Sequence, residues 1–300
     1  MTSDLAERLG LAPGTRAVII NADDFGMCHA ANTAVTSLLE AGHIDSTTLM
    51  VPCGWAPEAL SFAAARTDLD VGVHLVLTSE WTDCRWRPLT GTATTLVDGA
   101  GYFPADALSV ERRASADDVA LELAAQLRAA LDAGVDVTHL DNHMGSVYGL
   151  LTGRDFLAPV LELAARHGLP FRLPRVLDGA DAALSRRLEE AGAAADALGV
   201  EIIDRLWTHP FEEVPGESYE QVRDAFCALL RDVPPGVTEI YLHPMVDDDE
   251  LRAVVDFGAA KRGHELRLLA DPHVHDAIAE EGLVRLGWRA LRDLQRGSAA

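Results

Sequence analysis

Cysteine is scarce in this chain of 300 residues, and the few cysteines are far apart. No two of them have CxxC spacing, the pattern typical of zinc knuckles, and they are too sparse for the disulfide framework of a small secreted domain. Reduced thiols in a cytosolic protein are the simplest interpretation. The four are Cys28, Cys53, Cys84 and Cys227.

Long apolar runs and basic residues are scarce as well. No apolar stretch reaches the roughly 20 residues of a membrane-spanning helix, and residues 1–8 lack the basic and apolar regions of a signal peptide. The chain has 25 basic residues, with Lys261 the only lysine, against 47 acidic ones, for a formal net charge of −22. This charge repels phosphate backbones and anionic membranes. We therefore expect a cytoplasmic protein with neither a nucleic-acid nor a membrane partner.

What the chain does have is a globular composition, with 48% hydrophobic and 24% charged residues. Its length fits either two average domains or one α/β barrel. Short apolar runs alternate with longer segments of helical period, and no linker-like stretch divides the chain. The sequence therefore predicts an α/β fold with a single (β/α) barrel over residues 1–300.

Apolar runs mark about eight candidate strands, with helical patterns between them. The strands are predicted at 17–20, 46–51, 71–77, 135–140, 171–173, 201–206, 239–242 and 283–286. The helices are predicted at 29–41, 56–65, 116–133, 155–167, 181–198, 218–231 and 248–258. An irregular insertion at about 79–109, rich in Thr, Gly, Pro and Trp, is long enough to indicate a functional loop.

Polar side chains follow several of these strands, and in a parallel barrel the chemistry gathers at the C-terminal ends of the strands. The first strand runs into Asp23 and Asp24, whose side chains point in different directions, so one could bind a metal while the other acts as a base. N-capping of the next helix is the alternative for this pair. His74 lies inside the third strand, where a lone histidine is more often a hydrogen-bonded core residue than a ligand.

A third polar cluster, at residues 138–145, is harder to explain as core. If the fourth strand continues through it, His139, Asp141 and His143 share one face of the sheet. Such a stack is difficult to bury, because each group must be paired or must bind something. The cluster therefore favours a functional site.

One aspartate with two histidines is a common ligand set for a divalent metal. Asp24, His74 and His143 come from three strand ends that a barrel can bring together at one mouth. His243 follows another apolar run and precedes Pro244, where it could be an acid, a residue that supports the site, or part of a turn.

Together these motifs resemble the YdjC-type carbohydrate deacetylases, which include chitooligosaccharide deacetylases. The resemblance extends from about residue 16 to residue 289 and implies a distorted (β/α) TIM-like barrel. It also implies one divalent cation, magnesium first and zinc or another ion as alternatives, and removal of an acetyl group from an N-acetylated oligosaccharide or glycoconjugate. The motifs are residues 21–26 (NADDFG), 71–75 with 77–78, 138–143 and 243–244.

The resemblance assigns roles by position. It implies that Asp24, His74 and His143 are the metal ligands and that Asp23 is the catalytic base. Arg172 also matches a family position and is expected to contact substrate. After the third-motif histidine, where some members have further histidines, this chain continues as MGSVY.

Other roles are expected from the chemistry of amide hydrolysis. His243 is the candidate acid for the leaving amine, with a structural role as the alternative. His139 and Asp141 could orient His143 or its neighbours through hydrogen bonds. Trp81 and Trp86 could stack on sugar rings if they are exposed, or could pack the irregular segment onto the barrel.

Two other functional classes remain open: a metal-dependent hydrolase of another bond, such as a phosphoester, and a non-catalytic sugar-binding protein. The lack of a Gly-rich phosphate loop or a basic cluster disfavours the first. A binding protein would not need a free carboxylate beside a complete ligand set, which disfavours the second. The sugar, the metal and the oligomeric state are left open by the sequence, with a homodimer as one alternative.

Overall fold

A computed structural model describes residues 5–210, 214 and 216–297, and in these residues β/α units repeat around a parallel sheet. The strands are β1 (Arg16–Phe25), β2 (Ser46–Leu49), β3 (Val71–Leu75), β4 (Val137–Asn142), β5 (Pro174–Val176), β6 (Ile203–Thr208), β7 (Gly236–Leu242) and β8 (Val284–Arg285). The helices are α1 (Leu5–Arg8), α2 (His29–Glu40), α3 (Ala56–Ala65), α4 (Ala107–Arg113), α5 (Ala116–Asp132), α6 (Leu157–His167), α7 (Ala182–Leu198), α8 (Tyr219–Asp232), α9 (Asp249–Val254), α10 (Ala259–Leu269), α11 (Pro272–Glu280) and α12 (Trp288–Gln295).

The strands form one sheet in the order β4-β3-β2-β1-β7-β6-β5, with β8 also paired to β1. All described strand pairs are parallel. A parallel bridge from Leu140 of β4 to Phe171 joins one end of this order to the chain just before β5, at the other end. The sheet therefore curls round on itself, and the expected distorted TIM-like barrel is confirmed.

The distortion is visible at β1, which shares one edge between two strands. Ala17 and Val18 pair with β8, whereas β2 pairs only from Asn21 onwards. Asp45 lies at this junction, where its carboxylate accepts hydrogen bonds from the Ile20 backbone at 2.8 Å and from Arg285 Nε at 3.0 Å. Burial raises the pKa of Asp45 to about 6, although Arg285 opposes the shift.

The core lies between the sheet and its helices. Parallel strands are covered on both faces, and every residue of β1 after Arg16 is buried. Two helices end in glycines of left-handed conformation, Gly168 after α6 and Gly199 after α7. The four cysteines are free thiols, and no described helix has the length and apolar character of a membrane span.

Two of the predicted elements differ in the structure. Residues 171–173 were expected to be a strand, but β5 begins at Pro174, and the preceding residues instead make the bridge to β4. The helix predicted at 248–258 ends at Val254, and two further helices, α10 and α11, follow it. The weak hydrophobic periodicity of α10 conceals that helix in the sequence, whereas α11, which begins at Pro272 with Asp271 as its N-cap, has an apolar face and a start signal that the prediction missed.

Candidate active site

Asp23 and Asp24, at the end of β1, contact different side chains because the strand is irregular there. The register of β1 against β2 shifts between Ala22 and Phe25, and Asp24 has a φ of 68°, in the left-handed region. Asp23 meets Arg172, while Asp24 meets His74 and His143. The alternative role as a helix cap is wrong, because Cys28 is the N-cap of α2.

Asp24, His74 and His143 bring three ligand atoms together, as the sequence predicts. His74 Nε2 lies 3.6 Å from Asp24 Oδ1, His143 Nδ1 lies 3.5 Å from the same oxygen, and the two nitrogens are 3.3 Å apart. The centre of such a triangle is about 2.0 Å from each atom, which matches metal bonds to nitrogen and oxygen. Asp24 Oδ1 is buried with no hydrogen bond among the described residues. The three side chains therefore fit a divalent cation.

Each of the two imidazoles is oriented by a carboxylate at the ring nitrogen that does not face the cluster. Asp141 Oδ1 lies 2.6 Å from His74 Nδ1, and Glu80 Oε2 lies 2.9 Å from His143 Nε2. Each ring thus presents its other nitrogen to the cluster. Asp141 was expected to orient His143 or a neighbour, and its direct partner is His74. Glu80 was not predicted, because it lies in the irregular segment, where the sequence has no periodicity to place it.

The electrostatics of the cluster favour positive charge. Burial lowers the pKa of His143, but Glu80 and Asp24 outweigh it and raise the value to about 10. Burial opposes the charged form of His74 too, yet Asp141 and Asp23 raise its pKa. For Asp24 burial raises the pKa, and the neighbouring histidines hold it well below its ordinary value. A field that favours a proton on these rings also favours a cation between them.

Arg172 is surrounded by three buried carboxylates from three strands. Its guanidinium contacts Asp23 at 2.7 and 2.8 Å, Glu239 at 2.7 and 3.0 Å, and Asp141 at 2.8 Å. Burial raises the pKa of Asp23, but Arg172 outweighs it and lowers the value to about 2, so this carboxylate is ionised. Asn21 Nδ2 also donates to Asp23 at 2.8 Å. Arg172 is thus held by protein carboxylates while it also lines the cavity described below, and its contact with substrate stays a prediction.

A second group of possible ligands is less suited to a cation. Asp23, His74 and Asp141 also lie close together. Asp23 and Asp141 are both paired with Arg172, whose positive charge would repel a metal ion, and the His74 nitrogen nearest Asp141 is already bonded to it. The group that contains Asp24 therefore fits a cation better than this second group does.

His243 lies directly after β7 and faces the same carboxylates. Its Nε2 is 4.0 Å from Asp23 Oδ2, and its backbone N–H donates to Glu265 at 2.6 Å. Burial lowers the pKa of His243, although Asp24 and Asp23 oppose the shift. The imidazole is therefore neutral at neutral pH and close enough to Asp23 to exchange a proton after a small movement.

The two tryptophans of the irregular segment, Trp81 and Trp86, are both buried. Trp81 is 2% exposed and packs against Phe257, although it still lines the cavity described below. Trp86 is 4% exposed, donates to the Thr78 carbonyl at 2.7 Å and has its ring 6.1 Å from that of His143. Packing of the segment onto the barrel, the alternative role, accounts for these contacts.

His139 lies deeper in the barrel than expected. Its ring stacks on Trp288 with the centroids 4.7 Å apart and the planes at 6°. A Cβ at Gly72 would lie 2.6 Å from this ring, which explains the glycine in the middle of β3. Burial holds the pKa of His139 well below its usual value. His139 thus packs as a neutral core residue, away from the ligand atoms.

One cavity of about 1160 Å³ contains the cluster. Its polar end is lined by side chains from the ends of several strands and from the irregular segment, which is where a barrel places its chemistry. Its other end is lined by leucine and alanine residues of α6 and α7. The polar lining includes Asp23, Asp24, His74, Glu80, His143, Arg172 and His243.

Comparison with known proteins adds independent findings. A family described as YdjC-like protein matches residues 17–280. A carbohydrate deacetylase of Thermus thermophilus is 35% identical over 295 residues, 97% of this chain and 98% of the relative. Another, of Thermoanaerobacter pseudethanolicus, is 27% identical over 92% of this chain and 99% of its own length. A solved Enterococcus faecalis protein, with a suggested role in cellobiose-phosphate cleavage, matches with a TM-score of 0.73 and 25% identity over 92% and 99% of the two chains.

Proposed function

The chain belongs to the YdjC-like protein family, and we propose that it is a carbohydrate deacetylase that removes an acetyl group from an N-acetylated sugar with the help of a divalent cation. The observation that carries the proposal is the buried triangle of Asp24, His74 and His143 beside the separate, ionised carboxylate of Asp23. The names of the relatives support the substrate class.

Asp24, His74 and His143 would hold the cation. When bound, it would withdraw electron density from the acetyl carbonyl and make a water molecule more acidic. Two imidazoles and one carboxylate suit zinc or another transition metal better than magnesium, which prefers oxygen ligands and retains its waters. The donor chemistry thus favours zinc over the magnesium expected from the resemblance.

Asp23 is the proposed base. It takes a proton from the attacking water as the water oxygen joins the acetyl carbon, while Arg172 and Asn21 fix the direction of its carboxylate. The proton then passes to the neutral His243, which donates it to the amine nitrogen as the C–N bond breaks. The products are acetate and a free amine, which matches the atoms of one amide and one water.

Acetate release from N-acetylglucosamine and its short oligomers tests this proposal. The protein is stripped with a chelator and reloaded with zinc, manganese or magnesium. We expect activity only after reloading, and a loss of at least about 100-fold in kcat for Asp23→Asn, with sugar binding retained. If no reloaded protein releases acetate from any N-acetylated sugar while the sugar still binds, the non-catalytic alternative replaces this one.

Hydrolysis of a phosphoester is the less favoured alternative. Asp23, Asp24 and Glu80 give the polar end of the cavity an acidic character. Such an end disfavours an anionic phosphate and suits the release of a protonated amine. The same reloaded protein should therefore leave p-nitrophenyl phosphate intact.

A further inference from the structure

The apolar end of the active-site cavity is formed by side chains that share one helix face. On α7 the apolar cavity-lining residues follow each other at intervals of three or four, so they lie along one side of the helix. These residues are Leu184, Leu188, Ala191, Ala194 and Leu198. Residues of α6 and of strand segments near the cluster complete the lining. We call this region the apolar trough, and define it by Leu157, Leu161, Leu173, Leu184, Leu188 and Leu206.

The apolar trough is unsuited to a second sugar ring. Leucine side chains offer no hydrogen bonds, and sugar hydroxyls buried against them would lose those they make with water. Three charged side chains of α6 and α7 also line the cavity. Arg187 is already paired, since it lies 4.0 Å from Asp155 and donates to the Tyr148 carbonyl, whereas Glu162 and Glu190 are exposed to water rather than buried among the leucines. The trough therefore selects for apolar surface.

The mouth of the cavity has the same character. Met144, Leu150 and Phe257 line it and are 45%, 53% and 60% exposed. Exposed apolar groups clustered at the rim of a cavity commonly mark a binding surface. At about 1160 Å³ the space also exceeds the roughly 300–1,000 Å³ of ordinary small-molecule sites.

The trough and the reaction centre are parts of one continuous cavity, so whatever occupies the trough can be joined to the reacting sugar. We infer that the substrate is an amphiphilic glycoconjugate, in which the N-acetylated sugar carries an apolar chain or ring that lies in the apolar trough. This inference rests on the proposed function and adds the substrate class.

The test uses the methyl, butyl, hexyl and octyl β-glycosides of N-acetylglucosamine, each below its micelle concentration, with the metal-loaded full chain. We expect kcat/KM for acetate release to rise by up to about fourfold for each methylene that the trough buries. Leu188→Gln should lower the octyl-to-methyl ratio of kcat/KM several-fold. Leu121→Gln, on an exposed leucine of α5 outside the cavity, is the matched control and should keep the ratio.

Two outcomes overturn the inference while the deacetylase activity stands: a ratio near one in the wild-type protein, or a ratio that Leu188→Gln does not change. Binding is measured separately by calorimetry, so that a failure of the proposed function is distinguishable. Tighter binding of the octyl than the methyl glycoside, with a negative heat-capacity change and sensitivity to Leu188→Gln, supports the trough even without acetate release. Equal binding of the two glycosides overturns it.

A second copy of the chain is the competing occupant. Sedimentation velocity of the wild-type protein and Leu188→Gln decides between the two. A dimer that Leu188→Gln dissociates, together with glycoside binding that is independent of chain length, would replace the amphiphilic substrate by a subunit interface.

Discussion

Asp141→Asn is the sharpest test of the metal site, because Asp141 touches none of the proposed ligand atoms directly. Its Oδ1 lies 2.6 Å from His74 Nδ1, while its Oδ2 accepts from the Thr48 hydroxyl and contacts Arg172, each at 2.8 Å. Asparagine keeps only one of these two oxygens. The variant must therefore fail either at the imidazole or at the guanidinium.

The size of the loss follows from the two orientations of the amide. If its oxygen faces His74, its NH₂ group faces Arg172, and a buried donor without an acceptor costs about 1–3 kcal/mol. Thr48 escapes this cost because its hydroxyl can turn to accept. If the amide flips, His74 must carry its proton on Nε2 and can no longer bind a metal through it. Loss of such a partner lowers metal affinity by about 10–100-fold.

Zinc affinity is measured by competition with a chromogenic chelator, and unfolding is followed with and without zinc. We expect Asp141→Asn to weaken binding by about 10–100-fold and to reduce the zinc-dependent rise in Tm accordingly. Asp68→Asn is the control, since Asp68 is an exposed aspartate paired with Arg66. A folded Asp141→Asn protein that binds zinc within about twofold of the wild-type affinity would refute the reasoning.

Three further predictions use the same protein. Glu80→Gln should weaken zinc binding by about tenfold, which is less than the loss expected for Asp141→Asn, because Glu80 lines the cavity and orients His143 through a single contact. An equal or larger loss of zinc affinity than in Asp141→Asn, measured by the same chelator competition, would contradict this. Zinc should bind at least about 100-fold more tightly than magnesium, and equal affinities in calorimetric titrations would contradict the assignment of the ligands. Asp45 binds its proton more tightly in the folded state, with a pKa raised to about 6 from 3.8, so its contribution to stability falls as pH rises between these values. Relative to wild type, Asp45→Asn should therefore gain up to about 3 kcal/mol between pH 3.5 and pH 7, and urea unfolding that shows no such trend would contradict the shift.

Much of the barrel and of the ligand set is predictable from sequence, for a physical reason. Buried parallel strands are continuous apolar runs, and any Asp or His at their ends must have a partner. That logic locates Asp24, His74 and His143. The same logic predicts that Asp23 and Asp24 point in different directions, but it does not predict which groups Asp23 contacts. Those contacts depend on the left-handed φ of Asp24 and on the register shift beside it, which are properties of the folded strand.

The remaining contacts depend on how distant segments meet. Glu80 reaches His143 only through the path of the irregular segment, and Glu239 is one acidic residue in an otherwise ordinary apolar strand. The burial of Trp86 is decided by the same segment. The local sequence pattern predicts a helix or strand and which of its faces is buried. It does not predict the pairs Glu80–His143 and Arg172–Glu239, whose members are 63 and 67 residues apart in the chain.

Arg172 links catalysis to the order in which the protein folds. The neighbouring residue Phe171 makes the bridge that joins the two ends of the strand order, and the Arg172 guanidinium then meets carboxylates from β1, β4 and β7. The carboxylate of Asp23, the proposed base, is therefore oriented only after the bridge between Leu140 and Phe171 has formed and the sheet has curled into a barrel. This bridge and the contacts of Arg172 join residues far apart in sequence, and such contacts form slowly during folding. During refolding, acetate release should therefore return when the barrel closes, later than the far-UV circular dichroism signal of the helices.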